Sequence, residues 1–212
     1  PLAAIALMAA FADNMRLVFW VATIPAFLAV VCELVGVEDR GAAPSRTPQV
    51  PLHVSELKRL KGDFWRVIGL AVVFMLARFS EAFLILKASA VGLPLMLAPL
   101  VLVVMNVVYA LSSYPIGVLA DRFDRGTLLG LGVVVLVLSD LALAFVGGLA
   151  GLALGVLLWG LHMGLTQGLL SALVADAAPA NLRGTAYGLF NLVSGLALLA
   201  ASVVAGGLWD AF

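Results

Sequence analysis

Two opposite charges three residues apart, inside an apolar run, are the first sign of chemistry in this chain. Arg78 and Glu81 lie in Phe74-Met-Leu-Ala-Arg78-Phe-Ser-Glu81. On a helix, residues at i and i+3 share a face and can pair. Within a bilayer each charge costs ~2.5–3.5 kcal/mol on insertion scales, so two of them need a reason. Three readings stand open: a site for a polar solute, with Arg78 favouring an anion; a site where the Glu81 carboxylate takes up a proton; or a structural ion pair, with Arg78 held by Glu81 or by a carboxylate elsewhere. A second group recurs at helical spacing. Trp159, His162 and Thr166 form one stripe with Gln167 beside it, and Gly160, Gly164 and Gly168 form a close-packing row on an adjacent face. Such a helix suits a cavity wall. His162 is of the residue type that shuttles protons near neutral pH, although a lone intramembrane His more often makes one interhelical hydrogen bond. Asn106 and Asn191 are mid-run amides, suited to touching a solute and better suited to bridging helices.

The third group is a loop. Asp121, Arg122, Asp124 and Arg125 put four charges into five residues between two long apolar runs, following Gly117-Val-Leu-Ala. Its bland reading is a solvated loop carrying both signs.

The elements that must position these residues are spanning helices. The chain is 64% hydrophobic and 11% charged, with a mean hydropathy of +1.16, whereas soluble domains carry about 25% charged residues. A span needs ~20 apolar residues. Segments 17–37, 66–86, 95–118, 127–147, 150–175 and 185–208 qualify, and residues 1–12 read as the end of an earlier span. None shows the period-two alternation of a membrane barrel, so the fold class is all-α, a polytopic helical bundle of about six transmembrane helices. Residues 38–64 interrupt the spans. Their proline-rich first half predicts an irregular linker, while Leu57, Leu60 and Phe64 in the second half predict a short helix on the membrane surface. With this linker in the cytoplasm, inside segments hold nine basic residues (Arg40, Arg46, Lys58, Arg59, Lys61, Arg66, Arg122, Arg125 and Arg183) against Arg16 and Lys87 outside. That bias places linker and charged loop on the cytoplasmic side of a plasma membrane.

Two stretches carry a family resemblance. The loop Gly117-Val-Leu119-Ala120-Asp121-Arg122-Phe-Asp124-Arg125-Gly126 resembles the signature G-x-L-A-D-R/K-x-G/D-R/K-R/K of the major facilitator superfamily, with Gly126 in place of the last basic residue. Pro179-Ala-Asn181-Leu-Arg183-Gly184-Thr-Ala-Tyr-Gly188 resembles the P-x-x-x-R-G-x-A-x-G motif that opens helices five and eleven of that family. Asn181 is a reasonable N-cap there. The resemblance implies that residues 1–37 end the N-terminal half (helices five and six), that 38–64 link the halves, and that 65–212 form helices seven to eleven of the C-terminal half. The N-terminal helices and a twelfth helix are expected outside the chain, which begins without Met. It further implies secondary active transport of a small solute by alternating access, coupled to protons, with Gly117, Asp121, Arg122 and Arg125 latching the cytoplasmic side. Arg78 and helix ten would line the cavity; Asp140, on a peripheral ninth helix, would not.

Other function classes are weaker. Zero net charge gives nucleic acid no electrostatic footing. No Walker loop occurs, no His/Cys cluster suggests a metal, and no cofactor motif is present. Cys32 is alone and forms no intrachain disulfide. An intramembrane enzyme built on Glu81, His162 and Asp140, or a non-transporting scaffold or sensor, remain as alternatives. So does the choice between drug efflux and metabolite uptake. The partners expected are the bilayer, a small solute, protons and the N-terminal half.

Overall fold

The computed structural model describes residues 6–7, 10–11, 15–36, 60–94 and 97–211, without the side chains of Met15 and Asp210. All regular structure among them is helical. The chain divides into two compact units, Pro1–His53 and Val54–Phe212.

The first unit contributes one long helix, α1 (Met15–Gly36), apolar enough over Arg16–Gly36 to cross a bilayer. Pro25 lies inside it and cannot donate a helical hydrogen bond. Cys32 is a free thiol on α1. Most of the expected linker, including Leu57 and the basic residues Lys58 and Arg59, lies outside the described residues. Leu60 and Phe64, expected on a membrane-surface helix, are instead buried in the core of the second unit.

That unit runs α2 (Gly62–Leu76), α3 (Ala82–Ala90), α4 (Pro99–Ala120), α5 (Arg125–Phe145), α6 (Gly148–Ala177), a 3-10 turn (Ala180–Leu182) and α7 (Arg183–Ala211). With α1, four of these are long and apolar enough to span. The exception is the expected span 66–86, which is broken: α2 ends at Leu76 and α3 begins at Ala82. Elsewhere the ends follow local chemistry. Pro99 opens α4 where its missing N–H costs nothing. Asp124 caps α5, its Oδ2 accepting the Thr127 N–H at 2.9 Å. Gly92 follows α3 at φ 88°, a left-handed conformation that only glycine adopts cheaply.

Helix α6 is the hub, packed on α4 and α5 and touching α2, α3 and α7. It has no single apolar face because nearly every face meets another helix or lipid. Its glycines set the approach. A Cβ on Gly160 would lie 2.5 Å from the Met105 carbonyl oxygen and 2.9 Å from Val108 Cβ, and one on Gly164 would strike Ser112. On the α5 side, Ser139 donates to the Gly155 carbonyl at 2.8 Å. One core cluster gathers Leu60, Phe64, Leu128, Leu170, Val174 and Leu182 at the end of the bundle bearing the 121–124 loop. Another gathers Leu84, Met105, Leu143, Val156 and Trp159 toward the opposite end.

This geometry separates two glycines of one row. Gly160→Ala is expected to cost about 1–3 kcal/mol by overpacking against backbone. Gly168→Ala, where a Cβ would meet nothing within 4 Å, is expected to leave stability unchanged or raise it slightly. Unfolding temperatures in detergent read the difference, and equal values for both variants would contradict the packing described.

Candidate functional site at a broken helix

The break between α2 and α3 covers Ala77-Arg78-Phe79-Ser80-Glu81. A break inside a bilayer frees backbone groups that lipid does not satisfy, and side chains take over here. The Ser80 N–H donates to Ser202 Oγ on α7 at 3.2 Å, and Ser202 Oγ donates to the Leu198 carbonyl at 2.8 Å. Ser80 Oγ accepts the Ala82 N–H at 3.3 Å, helping to start α3.

Leaving the helix turns Arg78 inward. It is 8% exposed, with Nη2 3.9 Å from Glu81 Oε1. That is an ion pair too long to be a hydrogen bond. Arg78 Nε is buried and has no acceptor among the described residues. Its neighbour Phe79 lies against Trp159 of α6, ring centroids 4.8 Å apart, and meets Phe83 edge-on at 5.5 Å. Phe83 continues the aromatic series to Trp209 of α7 at 6.4 Å. Trp159 is fully buried, and its indole N–H also has no acceptor among the described residues.

One turn along α6, His162 Nδ1 lies 2.8 Å from the Gly132 carbonyl oxygen of α5. A carbonyl only accepts, so Nδ1 carries the hydrogen. Gly132 has no side chain to spare here, since a Cβ would come within 2.5 Å of Thr166 Cγ2. Thr166 Oγ1 donates to the His162 carbonyl at 2.9 Å. The break therefore sets the Arg78–Glu81 pair next to Phe79, whose ring meets Trp159, with His162 one turn farther along α6.

Beside it opens a cavity of about 770 Å³ lined by Phe79, Phe83, Lys87, Asp140, Leu143 and Trp209, among others. Asp140 Oδ1 is buried there and has no donor among the described residues. The family resemblance implies a peripheral helix for Asp140, away from the transport cavity; in the structure Asp140 lines this cavity beside the break.

At the far end of the bundle, Asp121 and Arg122 are exposed and make no ion pair among the described residues. Arg125 pairs with Asp176 in the last turn of α6. Gly117 faces open space.

A sequence profile of the Major Facilitator Superfamily matches residues 1–202. The chain belongs to the Major Facilitator Superfamily. It is 33% identical over 159 residues to an uncharacterised MFS-type transporter of Methanocaldococcus jannaschii, covering 72% of this chain and 40% of that protein. It is 28% identical over 154 residues to uncharacterised proteins of Mycobacterium bovis and Mycobacterium tuberculosis, covering 71% of this chain and 37% of each. The chain thus spans about two fifths of the length of these relatives. No solved structure matches.

The remaining expected site residues of this superfamily member stand apart from the cluster. Asn106 is exposed on α4 and donates to the Leu102 carbonyl of its own helix at 2.7 Å. Asn191 is exposed on α7 and Gln167 is half-buried on α6. In the helix-opening motif, Asn181 lies inside the 3-10 turn rather than capping, and Arg183, exposed, begins α7. A Cβ on Gly184 or Gly188 would meet nothing within 4 Å, so their faces are open. Sequence reasoning missed Ser202, the support of the break, and Asp176, the partner of Arg125. A serine in an apolar helix and an acid 51 residues from its mate carry no local signal.

Ser202→Ala is expected to destabilise the protein by about 1 kcal/mol. The same substitution speeds amide exchange at Ser80 specifically. Unchanged exchange there would show that Ser202 does not hold the break.

Proposed function

We propose that this chain is the C-terminal half of a secondary active transporter that moves a small solute by alternating access, coupled to protons. Transporters of this type place solute sites near the bilayer midplane, where discontinuous helices expose backbone and polar side chains to the cavity. The observation that carries the reading is the interrupted helix α2–α3, with its Arg78–Glu81 pair beside Phe79, whose ring meets Trp159 of α6. Two charges within a span are costly and mark functional positions by default. Glu81 is the proton-carrying candidate, being the more exposed partner.

The exposed Asp121 and Arg122 fit a latch that closes against the other half of the transporter, while the Arg125–Asp176 pair ties the loop to α6. The excess of basic residues in the linker, the 121–125 loop and at Arg183 supports a cytoplasmic placement of all three in the plasma membrane. The other half of the cavity would come from an N-terminal half, in keeping with relatives more than twice the length aligned here.

The test is proteoliposome uptake by the full-length polypeptide under an imposed proton gradient, with labelled small anions, cations and neutral metabolites. Glu81→Gln is expected to abolish gradient-driven uptake. Asp121→Asn is expected to slow it at least about tenfold, the effect of removing roughly 1.4 kcal/mol from one conformational state. Residues 1–212 alone are expected to be inactive. Uptake that persists undiminished in Glu81→Gln removes the proton role, and uptake by the isolated 1–212 chain removes the half-transporter reading.

A further inference from the structure

We propose that the cavity between α3, α5 and α7 is a lipid-headgroup site: Asp140 takes the primary ammonium, and Lys87 the phosphate, of a phosphoethanolamine lipid that enters from the bilayer. The site is distinct from the Arg78–Glu81 pair, which does not line this cavity. It does not depend on what the protein transports.

Charges of both signs open into this one space. Lys87 of α3 and Asp140 of α5 both line the cavity, yet they make no ion pair with each other among the described residues. Asp140 Oδ1 is buried and has no donor among those residues. An ionised carboxylate only accepts hydrogen bonds, and leaving it unmet in a span is costly. A lysine is long enough to reach toward headgroups, whereas an aspartate is not. The group that satisfies Asp140 must therefore come to it, carrying hydrogens on a cationic nitrogen. An anion would answer Lys87 alone, and a simple amine would meet Asp140 while facing the charge of Lys87. A zwitterion answers both.

Depth and access identify what carries that zwitterion. Lys87 lies in the last turn of α3, Asp140 in the second-last turn of α5 and Trp209 in the last turn of α7. Helix α5 has 21 residues, so its length of about 31 Å matches a hydrocarbon layer of ~30 Å. Its end marks the border with the headgroups, and the charged groups sit just beneath. Tryptophan concentrates at that level, and basic side chains there meet lipid phosphate. The cavity, about 770 Å³, is open at its rim, where Leu208 is 56% and Trp209 45% exposed and Ala144 is exposed as well. An opening flanked by bare leucine and tryptophan admits acyl chains. The unmet acceptor on Asp140 also selects the headgroup, since ethanolamine brings N–H donors and the quaternary nitrogen of choline brings none.

The test is native mass spectrometry of the full-length polypeptide in detergent, titrated with dioleoyl lipids that differ only in headgroup: phosphatidylethanolamine, its N-monomethyl form, phosphatidylcholine and phosphatidylglycerol. The ethanolamine lipid is expected to bind roughly tenfold more tightly than the choline and glycerol lipids. The N-monomethyl form, which keeps N–H donors, is expected to stay close to it. Asp140→Asn, nearly the same in shape, is expected to bring ethanolamine lipid down to the choline level and leave choline and glycerol lipids unchanged. Lys87→Gln is expected to weaken ethanolamine and glycerol lipids together. Unfolding temperatures in detergent report whether each variant is folded. Equal binding of ethanolamine and choline lipids, or undiminished ethanolamine preference in folded Asp140→Asn, would overturn the proposal. So would saturable binding of soluble glycerophosphoethanolamine as tight as that of the lipid, which makes the ligand a free zwitterion. Absence of any bound lipid on the folded full-length polypeptide would equally defeat it, another segment of that polypeptide then filling the cavity.

Discussion

Hydrocarbon offers a peptide group no hydrogen bond, and each consequence of that poverty is visible in Val54–Phe212. Four helices of this unit satisfy their own backbone and need little else. At Ala77–Glu81 the helical ladder stops, and the Ser80 N–H survives only because Ser202 of α7 reaches it at 3.2 Å. That single bond licenses everything next to it. With the ladder interrupted, Arg78 turns into the bundle instead of lying along a helix surface, and Phe79 reaches Trp159. The chemistry of the site is therefore a product of lost secondary structure, repaired from another helix.

The opposite face of the site is held by subtraction. Gly132, Gly160 and Gly164 remove side chains where α5 and α4 meet α6. Backbones come near enough for His162 to donate to a carbonyl of α5 and for Ser139 to donate to one of α6. These two crossing bonds, one in each direction, fix the rotation of α6 about its axis. That rotation turns Trp159 and His162 inward, toward the break and α5, and leaves Leu154, Leu157 and Gly168 on the outside. The stripe of polar residues is thus buried between helices, more a structural wall of the cluster than a face open to a cavity.

Most of the scaffold could be read from sequence, since apolar length is a local property. The segments expected at 17–37, 127–147, 150–175 and 185–208 fall within about three residues of α1, α5, α6 and α7. The break in 66–86 was not legible, because Ala77-Arg-Phe-Ser-Glu81 contains neither Gly nor Pro and the acceptor that supports it lies 122 residues away on Ser202. The spacing of Arg78 and Glu81 allowed a pair on one helical face, whereas the structure brings them to 3.9 Å across the non-helical break. The role of Asp140 was not, as a polar residue on an apolar helix declares its depth and not its facing. Asn106 and Asn191 illustrate the converse: mid-run amides look purposeful in sequence, yet Asn106 bonds within its own helix.

The glycine row has a mechanical consequence. Helices α4, α5 and α6 are locked by backbone-close contacts and by bonds running between them, whereas α2 and α3 are joined to each other through five non-helical residues. Strain applied to this unit will not be shared evenly. The three-helix block behaves as a stiff plate, and bending concentrates where α2 meets α3. The guanidinium of Arg78 sits on that crease, so any flexing of the plate against its neighbours is felt first by the charge itself.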